Sequence, residues 1–502
     1  MLATARTFTL LGVSAHEVIV EVDVHRGLPV FSLVGLPDAA VRESRERVRA
    51  ALTNSNFEFP LQRITANLAP ADLPKAGPGL DLAIAAALIA AAGQLPPEGL
   101  ERWCLAGELA LDGAIRPVPG VLAMAEEARR RGAAGLAVAA DNAAEAALIE
   151  GLPVAPLNRL DELPPLARGE LEEFEPSQVV SRNGAAPETV PDLSDLRGQP
   201  ALRRLLEVAA AGGHSILITG PPGAGKSLAA RRLPSLLPPL DPAEAIEVTR
   251  IASVCGKPPP PGRLAARPFR APHHTISAAG LVGGGNPPRP GEVTLAHGGV
   301  LFLDELGEFS RSALEALRQP LEEGRVWVAR VNHSVELPCR FMLVAAANPC
   351  PCGRGEDSPR CSCTPPVVRG YRAKLSGALA DRIDVTARVD QPSSEAMDGP
   401  AGESSEAVRE RVLRARELQA LRLGPGRVNA SMTPVETRRC CRIGREARDM
   451  LADGHARLGL SGRGHERVLR VARTIADLVG AERIDSEMIG EALSMRRRNS
   501  EP

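Results

Sequence analysis

Nine consecutive residues carry the densest chemistry in this chain: Gly220, Pro221, Pro222, Gly223, Ala224, Gly225, Lys226, Ser227 and Leu228. Glycines at these intervals let successive backbone N–H groups curl around phosphate oxygens, and a following helix adds its positive end. A lysine at the seventh place reaches the β- and γ-phosphates of a nucleoside triphosphate, and the next hydroxyl ligates Mg²⁺. The run therefore predicts an ATP and Mg²⁺ site on residues 220–228. Two further places suit the same chemistry. Asp304 and Glu305 end the apolar run Gly299-Val-Leu-Phe-Leu303. Asp304 is suited to hold Mg²⁺ with Ser227, and Glu305 to orient and activate the attacking water. Asn348 ends Phe341-Met-Leu-Val-Ala-Ala-Ala. It suits a sensor of the γ-phosphate; a plain turn asparagine before Pro349 is the alternative.

These side chains need a scaffold that brings three strand ends together. Ser215–Thr219 reads as a buried strand before the glycine turn, and Leu228–Leu233 as the helix after it. The segments ending at Leu303 and Ala347 read as further buried strands. Parallel strands in one α/β sheet would present all three sites at one edge.

Four cysteines form a separate constellation. Cys350 and Cys352, then Cys361 and Cys363, give two C-x-C pairs separated by eight residues. Four thiolates this close could enclose one tetrahedral Zn²⁺ with no open position, a structural role. Free thiols ordered by packing are the alternative. His273 and His274 suit core or nucleotide-edge roles, with metal ligation as the alternative. Cys104, Cys255, Cys339, Cys440 and Cys441 have no partner in the sequence pattern and read as structural.

The chain has 502 residues, 44% hydrophobic and 24% charged, with only 2% aromatic. That is a globular composition whose cores must be filled by aliphatic residues and alanine. The formal net charge is −1. Any nucleic-acid contact must then come from local arginines rather than from the global field. No apolar run has the length of a membrane span, and the N-terminus has no signal-like pattern, which predicts a cytoplasmic protein with no membrane partner.

Residues 1–170 read as a separate α/β domain. Strands are predicted over Glu17–Val24, Leu28–Val34, Arg63–Leu68 and Leu136–Ala140, and helices over Asp38–Asn54, Leu80–Ala92, Gly120–Arg131 and Asn142–Ile149. Trp103–Ala110 and Ala114–Val118 flank a hairpin turn at Asp112-Gly113. Residues 171–194 are acidic, polar and proline-bearing, a linker. An ATPase core is predicted over 195–390 and a connecting loop over 391–404. A helical region over 405–502 has helices at Glu406–Leu423, Pro434–Asp453, Gly464–Gly480 and Asp485–Met495. Arg496–Arg498 reads as a solvated terminal run.

Several stretches resemble known families. Pro74-Lys-Ala-Gly-Pro-Gly79 and Gly107–Leu122 resemble the proteolytic domain of Lon-type proteases, whose Ser–Lys dyad acts by nucleophilic catalysis. The dyad positions fall on Gly79 and Leu122, so the resemblance implies the fold and no peptidase activity. The three strand ends resemble the AAA+ ATPase pattern. Ser376-Gly-Ala-Leu-Ala-Asp-Arg382-Ile-Asp384 resembles the segment that carries the arginine finger in the magnesium-chelatase and helicase branch. An ion pair with Asp381 or Asp384 is the alternative for Arg382. Arg463, at the start of a lid helix, falls where that family places its second sensor arginine, with Arg467 and Arg470 as competitors.

Pro268–Thr275, Gly280–Gly299 and Asn348-Pro-Cys-Pro-Cys-Gly353 together resemble the ComM/YifB family of magnesium chelatase-like AAA+ proteins. The resemblance implies an N-terminal Lon-like α/β domain, a central P-loop domain with a parallel sheet, and a C-terminal helical lid. It also implies a homo-hexameric ATPase that drives DNA branch migration during natural transformation. Arg382 would then act in trans. Arg289, in the glycine-rich stretch, and Arg330, in a hairpin over Arg325–Leu337, would contact DNA phosphates without reading sequence; ordinary surface arginines are the alternative. A chelatase-like or protein-remodelling ATPase acting on a protein partner is the rival function.

Overall fold

The computed structural model describes residues 1–168, 170, 191–285, 288–329, 334–355, 358–375, 379 and 382–496. Arg330, Asp381, Arg497, Arg498 and most of the 171–194 linker lie outside them.

The first sheet is built around Leu2–Leu11 (β1), a strand the sequence pattern does not announce. β1 pairs antiparallel with Ser14–His25 (β2), from Leu2↔Asp23 to Leu11↔Ser14, and parallel with Trp103–Ala106 (β5). Val30–Val34 (β3), Arg63–Ala69 (β4), Gly135–Ala139 (β8) and Val154–Leu157 (β9) complete a seven-stranded sheet in the order β3-β4-β2-β1-β5-β8-β9. The expected hairpin is present only as Glu108–Leu109 (β6) and Ile115–Arg116 (β7). The predicted strand over 103–110 breaks at Gly107, whose N–H donates to Gly79 O and whose carbonyl accepts from Leu82 N–H. A side chain on Gly107 would overlap Ile115.

Asp38 caps Ala39–Asn54 (α1), accepting the Val41 N–H at 2.8 Å. Asp81–Ala91 (α2) is apolar all round after its first residue and buried all round. Its Asp81 is fully buried and held by Arg47 at 2.6 Å. Val121–Arg130 (α3) and Ala140–Ala146 (α4) cover the other face.

The second sheet is five-stranded and parallel throughout: Phe269–Arg270 (β11), Val300–Leu303 (β14), Met342–Ala347 (β17), Ile216–Thr219 (β10) and Val385–Arg388 (β18), in that order. Pro200–Gly212 (α5), Lys226–Leu236 (α6) and Pro242–Val254 (α7) pack around it. Leu193 and Leu196 are buried in this core, although Leu193 falls within the expected linker. Two short hairpins project from this region: Gly283–Gly284 (β12) with Arg289–Pro290 (β13), and Arg325–Ala329 (β15) with Ser334–Pro338 (β16). Pro365–Leu375 (α8) follows the cysteine segment.

The expected loop over 391–404 contains a short helix, Ser394–Asp398, capped by Ser393. The lid comprises Ser405–Leu423 (α9), Pro434–Cys440 (α10), Arg445–Leu458 (α11), Gly462–Leu478 (α12) and Ser486–Ser494 (α13). The single helix predicted over 434–453 is therefore two. Ile443 bridges to Ile484, and the extended Gly444 opens the second helix. No described helix is long and apolar enough to cross a membrane.

The N-terminal domain docks on α7. Gly120 N–H donates to Ser253 O, Glu126 pairs with Arg250 at 3.0 Å, and the Ser253 hydroxyl donates to Glu145. The same Glu145 oxygen accepts Leu122 N–H. Burial pushes the Glu145 carboxyl above its ordinary range, against those hydrogen bonds. The docked carboxyl thus holds its proton more tightly than a free one. Its contribution is complete below the unfolded pKa and is lost as pH rises through the raised value. Glu145→Gln keeps the accepting oxygen and stays neutral. In thermal unfolding its Tm advantage over the natural chain should grow from about pH 4 to pH 7. A difference that does not change with pH would remove Glu145 from the pH response.

Candidate nucleotide site and a separate arginine cluster

The register of the parallel sheet decides which side chains meet. Ile216–Thr219 pairs with Val344–Ala347, and Val300–Leu303 with Met342–Ala345. The C-terminal ends of β10, β14 and β17 therefore lie side by side. Gly220 N–H donates to Ala347 O at 3.2 Å across that edge.

The loop after β10 turns through Gly223 and Gly225, both with positive φ, a conformation glycine adopts without strain. A side chain on Gly220 would strike Val389 O. The loop enters α6 at Lys226, so backbone N–H groups and the positive helix end face one point. Lys226 is 8% exposed. Its ammonium donates to Gly220 O at 2.5 Å, Pro221 O at 2.9 Å and Asn348 Oδ1 at 3.1 Å. Burial lowers its pKa, while Asp304 and Glu305 pull the other way. Ser227 Oγ donates to Asp304 Oδ2 at 2.6 Å. A hydroxyl and a carboxylate in contact beside a glycine cradle fit Mg²⁺ bound to a nucleotide triphosphate. When bound, that ion would neutralise charge on the β- and γ-phosphates.

Glu305 has a positive φ of 52° although it is not glycine, and it begins the turn Leu306–Glu308. Its carboxylate meets His274 Nδ1 at 3.2 Å. The His273 ring lies 4.1 Å from that of His274. His274 thus has the nucleotide-edge place. Gln391 was not foreseen: its Nε2 donates to Pro222 O at 2.8 Å and holds the outer wall of the loop. Nothing in the sequence distinguishes it from other loop glutamines.

The structure brings together Lys226, Ser227, Asp304, Glu305 and Asn348. It places Arg382 and Arg463 elsewhere. Arg382 donates to Glu322, and Arg463 reaches the same carboxylate oxygen at 3.5 Å. Arg467 pairs with Asp384 at 3.0 Å, and Asp384 also accepts the Ser215 N–H. Burial works against the charge on Asp384, but His214, Arg467 and Ser215 outweigh it and keep its pKa below the ordinary range. These groups line a cleft of about 880 Å³ together with Ser215, Gly299 and Phe341. Those three residues precede β10, β14 and β17, so the cleft lies at the opposite edge of the sheet. Four residues of strand separate the edges by roughly 13 Å. Arg467 and Arg470 line the same cleft as Arg463.

Arg289 is exposed on the β12–β13 hairpin. Gly79 faces Val118, and Leu122 is fully buried in α3, so neither dyad position carries a nucleophile or a base. The sulfurs of Cys350, Cys352, Cys361 and Cys363 lie within 4.8 Å of one another.

Three family patterns match the chain in succession: "Subunit ChlI of Mg-chelatase" over residues 20–142, "Magnesium chelatase, subunit ChlI" over 192–397, and "Magnesium chelatase, subunit ChlI C-terminal" over 402–496. Uncharacterized protein YifB of Salmonella typhimurium is 43% identical over 99% of this chain and 97% of its own length. An uncharacterized protein of Mycobacterium tuberculosis is 44% identical over 99% of both chains. Competence protein ComM of Haemophilus influenzae is 40% identical over 97% of this chain and 96% of its own length. With the strand-end constellation of the parallel sheet, these matches show that the chain belongs to the ComM/YifB family of magnesium chelatase-like AAA+ proteins.

Proposed function

We propose that this chain is an ATP hydrolase that works as a ring of identical subunits, a hexamer by family resemblance, in the cytoplasm, and drives branch migration of DNA. The observation that carries the ring is the division of its chemistry between two edges of one sheet. Lys226, Ser227, Asp304 and Asn348 converge at one edge, while Arg382 and Arg463 sit together at the other. Roughly 13 Å of strand prevents the arginines from serving the phosphate loop of their own chain. A second copy, placed with its arginine edge against the first copy's phosphate edge, completes the site. Arg382 and Arg463 would then stabilise charge on the transferring phosphoryl group from the neighbour. Repeating that head-to-tail contact closes a ring.

Within the site, Lys226 and the loop N–H groups bind the phosphates, and Ser227 and Asp304 hold Mg²⁺. Glu305 orients the attacking water, His274 fixes the Glu305 carboxylate, and Asn348 reads the γ-phosphate. The DNA substrate rests on family membership and on a relative that is a competence protein. Arg289 and Arg330 are the candidate phosphate contacts. The four cysteines would hold one structural Zn²⁺. A chelatase-like or protein-remodelling ATPase acting on a protein partner is the second reading, favoured by the magnesium chelatase patterns along the chain.

ATP turnover should rise with single-stranded or four-way-junction DNA and vanish in Lys226→Ala. Turnover indifferent to every DNA tested would favour the protein-partner reading. Lys226→Ala and Arg382→Ala should each lose activity when assayed alone, the latter by about 10³-fold or more. Mixed together they should regain part of it, since some junctions then pair an intact Lys226 with an intact Arg382. No recovery at any ratio would count against a shared site. His274→Ala should lower kcat about tenfold, the size of a lost positioning contact, and leave the affinity for ATP unchanged. A matching loss of affinity would give His274 a binding role instead.

A further inference from the structure

The cysteine cluster stands beside the nucleotide site, and its geometry connects the two. Cys350 and Cys352 have sulfurs 3.3 Å apart, Cys352 and Cys361 3.6 Å, and Cys350 and Cys361 3.9 Å. A disulfide needs about 2.05 Å. Four thiolates around one Zn²⁺ stand about 3.8 Å apart, given Zn–S bonds near 2.3 Å. The three spacings bracket that edge length, and all four sulfurs lie within 4.8 Å of one another. Each sulfur also accepts a backbone N–H. Gly355 donates to Cys350 at 3.2 Å, Arg354 and Ser362 to Cys352, Cys363 to Cys361, and Cys352 to Cys363. Such donors orient metal thiolates and spread their charge.

Four thiolates packed this closely repel one another, and a divalent ion removes the repulsion.

The cluster begins two residues after Asn348 and ends two residues before α8. Gly353, with a φ of +82°, lies against the phosphate loop; a Cβ there would be 2.8 Å from Pro222 Cγ. On α8, the buried Tyr371 is tied to the backbone of Asn348 and packs on Gly307, just past Glu305. The cysteine segment is therefore joined at both ends to groups of the nucleotide site.

We propose that Cys350, Cys352, Cys361 and Cys363 bind one Zn²⁺ that braces Asn348 and the Pro222 wall, so that the metal sets the alignment of the nucleotide site. This rests on the reading of residues 220–228 as an ATP site. The metal has no open position and takes no part in hydrolysis. It fixes the path of residues 349–355 and 358–364, which have no regular secondary structure.

The test uses the full-length protein with Cys255→Ser and Cys440→Ser, so that an added mercurial meets few accessible thiols outside the cluster. Elemental analysis should find one zinc per chain. Cys361→Ser with Cys363→Ser should abolish it. Mercurial titration should release zinc, read by a metallochromic dye, in step with an at least tenfold loss of affinity for a fluorescent ATP analogue. Thiol and Zn²⁺ should restore both together, which separates bracing from unfolding. Iron, or no metal in freshly purified protein, overturns the site. Zinc released with unchanged analogue affinity and turnover overturns the bracing. Metal content and analogue binding are read without turnover. A natural chain that binds the analogue but does not hydrolyse ATP would therefore sink the ATPase reading and leave this one to be decided on its own measurements.

Discussion

Two contacts across one sheet edge hold the nucleotide site in shape: Ser227 on Asp304, and Lys226 on Asn348. Each joins α6 to a different neighbouring strand. Neither can form unless β10, β14 and β17 end near one level, as the pairing of Thr219 with Ala347 and of Leu303 with Ala345 provides. That level is set by strands whose every residue on β14 and β17 is buried. A slip of one residue would turn the layer's side chains to the opposite faces and move the terminal carboxylate or amide off the edge. The apolar register is thus the precondition of the polar constellation. It explains why the charged residues come immediately after the apolar runs and not within them.

Much of this was legible in the sequence because the signals are local. A glycine turn between an apolar strand and a helix, and acids at the end of a buried run, need no knowledge of the rest of the chain. The lid helices were legible by periodicity, except at Cys441–Gly444, where a bridge from Ile443 to distant Ile484 interrupts the run. β1 was not legible. Its inward positions include Ala3, Ala5, Thr7 and Thr9, which are small or polar yet almost fully buried. Small residues suit a strand covered by helices on a crowded sheet, but they leave no hydrophobic alternation to read. The break at Gly107 was hidden because both its partners, Gly79 and Leu82, lie far back in the chain. Gln391 was obscure for the same reason: its contact with Pro222 is made only by the fold.

The placement of Arg382 and Arg463 shows what motif position leaves open. Both fall where the family pattern assigns nucleotide-sensing arginines, and both lie far from the chain's own phosphate loop. Glu322 holds the pair together, drawing two guanidinium groups to one carboxylate oxygen. Without that acid, the two cations would repel each other at the rim of the cleft. A carboxylate shared between them offsets that repulsion.

The two edges of the sheet are also mechanically joined. β10 and β18 both begin at the arginine cleft, where Asp384 accepts the Ser215 N–H and pairs with Arg467 of the lid. Both end against the phosphate loop. Val389 N–H donates to Thr219 O, and Gln391, three residues past the end of β18, holds Pro222. Hydrogen bonds pair β10 with β18 from Ile216↔Val385 to Thr219↔Arg388, so continuous backbone links the Arg467–Asp384 pair to the phosphate loop. The sheet thus carries the Lys226–Asp304–Asn348 group at one edge and the Arg382–Glu322–Arg463 group at the other, and β10 and β18 run between them.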